Sequence, residues 1–217
     1  MYKCCMAGST IARLGSIAAE QWGMFTTSQA VAVGAARNTL SALNASSAIT
    51  RVAQGVYRMA GVPEGDPEID RIRIDWLAVG GTGLTVAGKS AAAVHRIGDW
   101  FPGVTELVAP HRRTTRLSSI RLRVRKLDAA DVTYIDGLPT MTVERTIADL
   151  VEAREDLSLI ADALRHAAQN GTLLVPQRLA QLLDPLARRN GEVTGADLGE
   201  RMMLAAGLDD AWIARLR

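Results

Sequence analysis

The chain has few of the residues that make disulfide frameworks or metal sites. Its two cysteines, Cys4 and Cys5, are adjacent and close to the start. Such a pair forms neither a disulfide framework nor a metal site, and the segment carrying it is expected to be disordered. The three histidines, His95, His111 and His166, are widely separated and never fall at H-x-x-x-H spacing, which argues against zinc. No apolar run approaches the length of a membrane span, and Arg13 interrupts the stretch where a signal peptide needs unbroken apolar residues. A cytoplasmic protein with no membrane partner and no cofactor is expected. What remains is 217 residues, 48% hydrophobic and 22% charged, enough for one or two compact domains with a real core.

Acidic residues are also missing locally, although the formal net charge is only +2. Residues 1–62 hold Lys3, Arg13, Arg37, Arg51 and Arg58 against the single acid Glu20. Residues 112–126 hold seven basic side chains and no acid, whereas residues 127–217 hold fifteen acids against nine basic residues. This zoning suggests a nucleic-acid face and a separate partner surface.

Ile11, Leu14, Ile17 and Ala18 recur at helical spacing and predict a first amphipathic helix. After Gly23, Thr27 and Ser28 cap a second helix, Gly34 makes a turn, and Ala36, Leu40 and Leu43 mark the inward stripe of a third. Arg37, Asn38, Ser41 and Asn44 share the opposite face of that third helix, where polar and guanidinium side chains can reach base edges or phosphates. "ITRVAQGVYRM" then alternates on both sides of Gln54 and Gly55, the pattern of a hairpin. Three helices and a basic hairpin read as a winged helix-turn-helix over residues 1–62, with Arg51, Gln54, Tyr57 and Arg58 on the wing. The same fold can serve only to dock proteins, and the basic balance of the segment argues for DNA.

The successive blocks "AAEQWGMFTTSQAVAVGAARNTLSALNASSAITRVAQGVYRMAG", "GKSAAAVHRIGDW", "LVAPHRR" and "DGLPTMTVERTIADL" resemble those of AbiEi-type antitoxins, the DNA-binding partners in type IV toxin-antitoxin operons. The resemblance covers about residues 10–155. It implies an N-terminal winged helix that binds repeats in its own promoter, and a C-terminal domain that counteracts a nucleotidyltransferase toxin encoded beside it. Related N-terminal modules also occur fused to nuclease-like domains.

"GLTVAGKS", residues 83–90, matches the phosphate-loop pattern G-x-x-x-x-G-K-[ST]. Its context does not fit that chemistry. The preceding "DPEIDRIRIDWLAVGG" has Ile69, Ile72, Trp76 and Leu77 at helical intervals, where a phosphate loop follows a buried strand. A short strand, a turn at Gly88 and a helix from near Ser90 are expected instead, with no nucleotide bound at Lys89. Further on, "IRLRVRK" alternates strictly: Ile120, Leu122 and Val124 face one way, and Arg121, Arg123 and Arg125 the other. With Arg112, Arg113, Arg116 and Lys126 this arginine ladder reads as a second basic patch, or else as a solvated face paired with Asp128, Asp131 and Asp136. A strand, an Asp136-Gly137 turn and a helix carrying Val143, Ile147, Leu150 and Val151 follow. Three or four more helices are marked by Leu157, Ile160 and Leu164, by Leu179, Leu182, Leu183 and Leu186 after Pro176, by Leu198 and Met202 after a Thr194-x-x-Asp197 cap, and by Trp212, Ile213 and Leu216.

The expectation is an α+β protein: a winged helix over 1–62, and an antitoxin domain over 63–217 with a small mixed sheet and several helices. It acts as a non-enzymatic DNA-binding autorepressor and antitoxin. Two alternatives are a nuclease-like enzyme with a winged-helix head, disfavoured by the absence of E-x-K or D-x-K on the strands, and a plain transcription regulator without a toxin.

Overall fold

The structure, a computed structural model, describes residues 2–217, with side chains from Ser9 onward. The backbone at Cys4 and Cys5 is helical where a disordered start was expected, and the reading of their thiols falls outside the described side chains. The fold is mixed α/β and divides into two compact units, Met1–Thr82 and Gly83–Arg217. Among the described residues no helix is long and apolar enough to cross a membrane.

The first unit opens with α1 (Tyr2–Ala19), which buries Leu14 and Ala18 one turn apart. A short strand β1 (Met24–Thr26) leads directly into α2 (Thr27–Ala32). Thr26 closes a capping box at this junction: its Oγ1 accepts from the Gln29 amide at 3.2 Å, and Gln29 Oε1 accepts from the Thr26 amide at 2.8 Å. Then come α3 (Arg37–Ala45), β2 (Ile49–Ala53), β3 (Val56–Met59) and α4 (Pro67–Ala78). The helix α3 buries Leu40 and Leu43 as expected, but Ala36 is its exposed N-cap, and Ala35 fills the core position beside it. In the two-residue turn between β2 and β3, Gly55 takes φ +76°, a left-handed value that glycine adopts without steric penalty.

The strands pair antiparallel in the order β1-β3-β2. Because side chains alternate along a strand, the sheet has two apolar faces. Phe25, Ile49, Tyr57 and Met59 pack with α1 and α3, whereas Met24, Val52 and Val56 pack with Leu77 and Ile74 of α4. Asp66 caps α4, accepting from the amides of Glu68 and Ile69, and Pro67 stands where its missing N–H is harmless.

The second unit contains β4 (Thr85–Val86), α5 (Gly88–His95), β5 (Thr105–Ala109), β6 (Ile120–Val124), β7 (Val132–Ile135) and β8 (Leu138–Met141). The sheet order is β6-β5-β4-β8-β7, with β5/β6 and β4/β8 parallel and β4/β5 and β7/β8 antiparallel. The mixed sheet was expected; β8 was not, since Pro139 lies inside it. The helices α6 (Val143–Glu152), α7 (Leu157–Gln169), α8 (Pro176–Ala187), α9 (Gly195–Ala205) and α10 (Asp210–Ala214) follow. Val143, Ile147, Leu150, Val151, Ile160, Leu164, Leu179, Leu183, Leu198 and Met202 make their common core. Leu157, expected in a buried stripe, is the exposed first residue of α7.

Candidate nucleic-acid interface

The exposed side of α3 has the composition read from the sequence. Arg37, Asn38, Ser41 and Asn44 are all exposed. Asn44 Oδ1 accepts from the Arg51 amide at 3.0 Å, which fixes the start of the hairpin to the last turn of the helix. Ser41 Oγ lies 3.4 Å from the Arg37 carbonyl, and Asn38 Oδ1 accepts from the Thr39 amide at 3.0 Å. Arg51 is exposed, with its Nε donating to the Ala53 carbonyl at 3.3 Å, so its terminal nitrogens are carried at the hairpin's outer end. No acid occurs in the chain between Glu20 and Glu64. The surface of α3 and β2 therefore has no carboxylate of its own segment to neutralise Arg37 and Arg51.

Thr27, Ser28 and Gln54 meet in an open cleft of about 380 Å³ whose other side includes Gln21 and Trp76. The Thr27 amide donates to the Gly55 carbonyl at 2.8 Å, locking α2 to the hairpin turn. Gln21 was not anticipated. Its Oε1 accepts from Gln29 Nε2 at 3.0 Å, a pairing across eight residues that no local pattern marks.

Two residues expected on the wing are corrected. Arg58 is not on the outer surface: it is 8% exposed and bonds Asp70 Oδ2 of α4 at 2.6 Å and Glu64 Oε1 at 3.4 Å. Strand alternation is the reason, since Arg58 shares its face with Val56 and Met24, the face that α4 covers. Tyr57 points the opposite way but is half-buried, its ring stacked on Phe25 at 5.7 Å, and so belongs to the core.

In the second unit the basic residues separate into two groups. Arg112, Arg113 and Arg116, in the loop between β5 and β6, and Lys126 are exposed. The ladder of Arg121, Arg123 and Arg125 does share one face, but that face meets acids. Arg123 forms a bidentate pair with the fully buried Asp149 of α6, Arg125 reaches Asp149 at 3.6 Å and Glu152 at 2.7 Å, and Arg121 bonds Glu106 Oε1 of β5 at 3.1 Å. Burial alone lowers the Arg123 pKa, yet the hydrogen bonds and charge of Asp149 outweigh it and raise the guanidinium above its ordinary range. Arg145, which also reaches Glu152, is lowered by burial and by the charge of Arg125. Asp128 and Asp131, the acids expected beside the ladder, instead clamp Arg178 of α8 at 2.8–2.9 Å. The ladder is therefore a strand-to-helix ion network rather than a free row of cations.

The same network runs through the phosphate-loop pattern. β4 is two residues long and Gly88, at φ +53°, opens α5. Glu106 Oε2 accepts from the Lys89 amide at 3.0 Å, and a Cβ at Gly88 would collide with the Glu106 carboxylate. The anion at the start of α5 is the chain's own. Lys89 Nζ lies 3.0 Å from Glu155, and Ser90 Oγ accepts from the Glu106 amide at 2.9 Å. His95, at the other end of α5, bonds the Met141 carbonyl at 2.6 Å; an acceptor there requires the proton on Nε2. Burial lowers its pKa, partly opposed by that hydrogen bond and by Glu144. His166 Nδ1 accepts from the Gly98 amide, and among the described residues no three His, Cys, Asp or Glu side chains gather as a metal site.

No family model matches the chain, and no curated protein matches it. Its architecture is similar to that in the crystal structure of the RV2827C protein from Mycobacterium tuberculosis, at 19% identity and a TM-score of 0.53, covering 96% of this chain and 82% of that one. At that identity the likeness is one of fold.

Proposed function

We propose that the chain is a DNA-binding transcriptional autorepressor and the antitoxin of a type IV toxin-antitoxin pair, with a winged helix-turn-helix in its first unit. The observation that carries the DNA reading is the acid-free outer face of α3, where Arg37, Asn38, Ser41 and Asn44 stand exposed and Arg51 is tied alongside through Asn44. Arginine and asparagine are the side chains that make bidentate contacts to guanine and adenine in the major groove. The short hairpin beside the helix supplies Arg51 and Gln54 for the backbone. The antitoxin half of the reading is supported by the resemblance of the sequence blocks to those of AbiEi-type antitoxins, and the partner it implies is a nucleotidyltransferase-like toxin.

Gel shifts on the chain's own promoter test the DNA reading. Arg37→Ala and Asn38→Ala each weaken specific binding by about 1–3 kcal/mol if the residue reads a base. Arg51→Ala weakens binding to all sequences and reduces the salt slope, as loss of a phosphate contact does. Unchanged shifts in both α3 variants remove the reading. Growth of cells expressing the neighbouring gene, with and without this chain, tests the antitoxin half.

A further inference from the structure

The hairpin of β7 and β8 holds an aromatic ring that the core does not use. Tyr134 is 71% exposed on the edge strand of the five-stranded sheet, opposite Pro139. The register Val86 to Thr140 places Thr85 beside Pro139, and Thr85 in turn pairs with Val108. Tyr134, Pro139, Thr85 and Val108 therefore lie on one face in consecutive strands. They border an open cleft of about 320 Å³ that also includes Leu84, Pro110 and Lys126. Most of its lining residues are apolar.

The charge around this cleft has one sign over a long stretch of chain. From Leu107 to Leu127 there is no acid. Pro110, on the cleft, begins the loop that carries exposed His111, Arg112, Arg113 and Arg116, and Lys126 closes the other side. Arg125 also borders the cleft but is held by Asp149 and Glu152, so it adds shape more than free charge. The acids nearest in sequence are Glu106, which is held by Arg121, Asp128 and Asp131, which are engaged by Arg178, and the turn residue Asp136.

An exposed ring and proline walls beside cations are what an unpaired base and its phosphates require. Every base has a π-face, so stacking needs no sequence match, and the cations hold the strand. A base inside a duplex offers no free face. An acidic peptide would use the cations but has no reason to prefer an aromatic ring and two prolines. From this we infer that the Tyr134 cleft binds single-stranded nucleic acid, stacking one base on Tyr134 while Lys126 and the 111–116 loop hold adjoining phosphates. The site is separate from the duplex-reading face of α3 and does not depend on it.

Fluorescence anisotropy with two labelled probes tests this: an oligothymidylate of about twelve nucleotides and an abasic strand of the same length, which keeps the phosphates and removes the bases. The full-length protein binds the thymidylate about tenfold more tightly than the abasic strand. Tyr134→Ala makes the two affinities equal, Tyr134→Trp restores the preference, and Lys126→Gln with Arg112→Gln weakens both probes and flattens their salt dependence. Because Tyr134 is exposed, thermal melting of its variants stays at the parent value. The preference survives Arg37→Ala, which separates this result from any failure of the α3 reading. Equal binding of the two probes by the parent protein overturns the inference, as does a preference that persists in Tyr134→Ala. A polyglutamate peptide that displaces the thymidylate more effectively than unlabelled thymidylate also overturns it, and assigns the cleft to an acidic protein partner.

Discussion

Arg58 shows how one residue's role turns on which way a strand faces. Its guanidinium, buried between β3 and α4, bonds Asp70 and reaches Glu64. Removing one member of a buried pair leaves an uncompensated charge, at about 3–5 kcal/mol. Arg58→Ala therefore lowers the urea midpoint of the first unit by an amount equivalent to about 3 kcal/mol, and Asp70→Ala does the same. Promoter affinity per folded molecule stays at the parent value, because Arg58 lies on the α4 side of the sheet and α3 on the other. A wing arginine on the DNA gives the opposite pattern, with normal stability and weaker binding. Composition alone could not separate these cases. Arg51 and Arg58 are both basic residues of one hairpin, each two places after a buried residue, Ile49 and Val56, and only the face each takes distinguishes them: Arg51 lies on the α3 side of the sheet and Arg58 on the side that α4 covers.

At the scale of elements, α5 is held at both ends by polar contacts with the sheet: Glu106 caps its start, and His95 bonds the Met141 carbonyl from its finish. The His95 bond makes stability depend on pH in a definite direction. The folded chain favours the neutral ring, because burial holds its pKa below the ordinary histidine value of 6.5, so acidification protonates the unfolded chain first. The contribution of His95 is complete above 6.5, declines as the pH falls below it, and is fully lost once the pH is below the folded pKa. Urea midpoints measured from about pH 8 down to about pH 5 should fall more steeply for the parent than for His95→Gln, which keeps a donor but does not titrate. Parallel curves would remove His95 from the account.

These elements were legible to different degrees, for physical reasons. The helices α3, α4 and α6 announce themselves by apolar period, and the Thr194 cap by residue type. β1 and β8 did not, because strands of three or four residues take hydrogen bonds from distant partners, β3 for β1 and β4 for β8, and Pro139 reads locally as a break. The alternation of Arg121, Arg123 and Arg125 was visible. Their partners were not, since Asp149 and Glu152 lie on a helix more than twenty residues further along. The outer face of α3 was legible because it needs only helical spacing and no distant partner.

For the molecule as a whole, the position of the boundary between its units decides how it can be divided. The pattern of helices and hairpin suggested an end at residue 62, but the first unit runs to Thr82, and α4 covers one face of its sheet. Ile72 is fully buried and Leu77 4% exposed, and each such side chain contributes about 1.5–3 kcal/mol by leaving water. A fragment of residues 1–62 therefore exposes Met24 and Val56 and leaves Arg58 without Asp70, whereas a fragment of 1–82 keeps them covered. The shorter piece should give no cooperative melt and bind no promoter DNA, and the longer one should melt cooperatively and retain the specific gel shift. The complementary fragments reverse the logic. A chain beginning at Asp66 carries α4 with its apolar stripe unpartnered and should self-associate in size-exclusion chromatography; one beginning at Gly83 should elute as a single compact species. If the proposed division of labour holds, that 83–217 fragment loses promoter binding and still protects cells from the neighbouring toxin. A folded, monodisperse 83–217 that fails to protect would place part of the proposed antitoxin function in the first unit, with the exposed face of α3, proposed above to read DNA, the first surface to search for it.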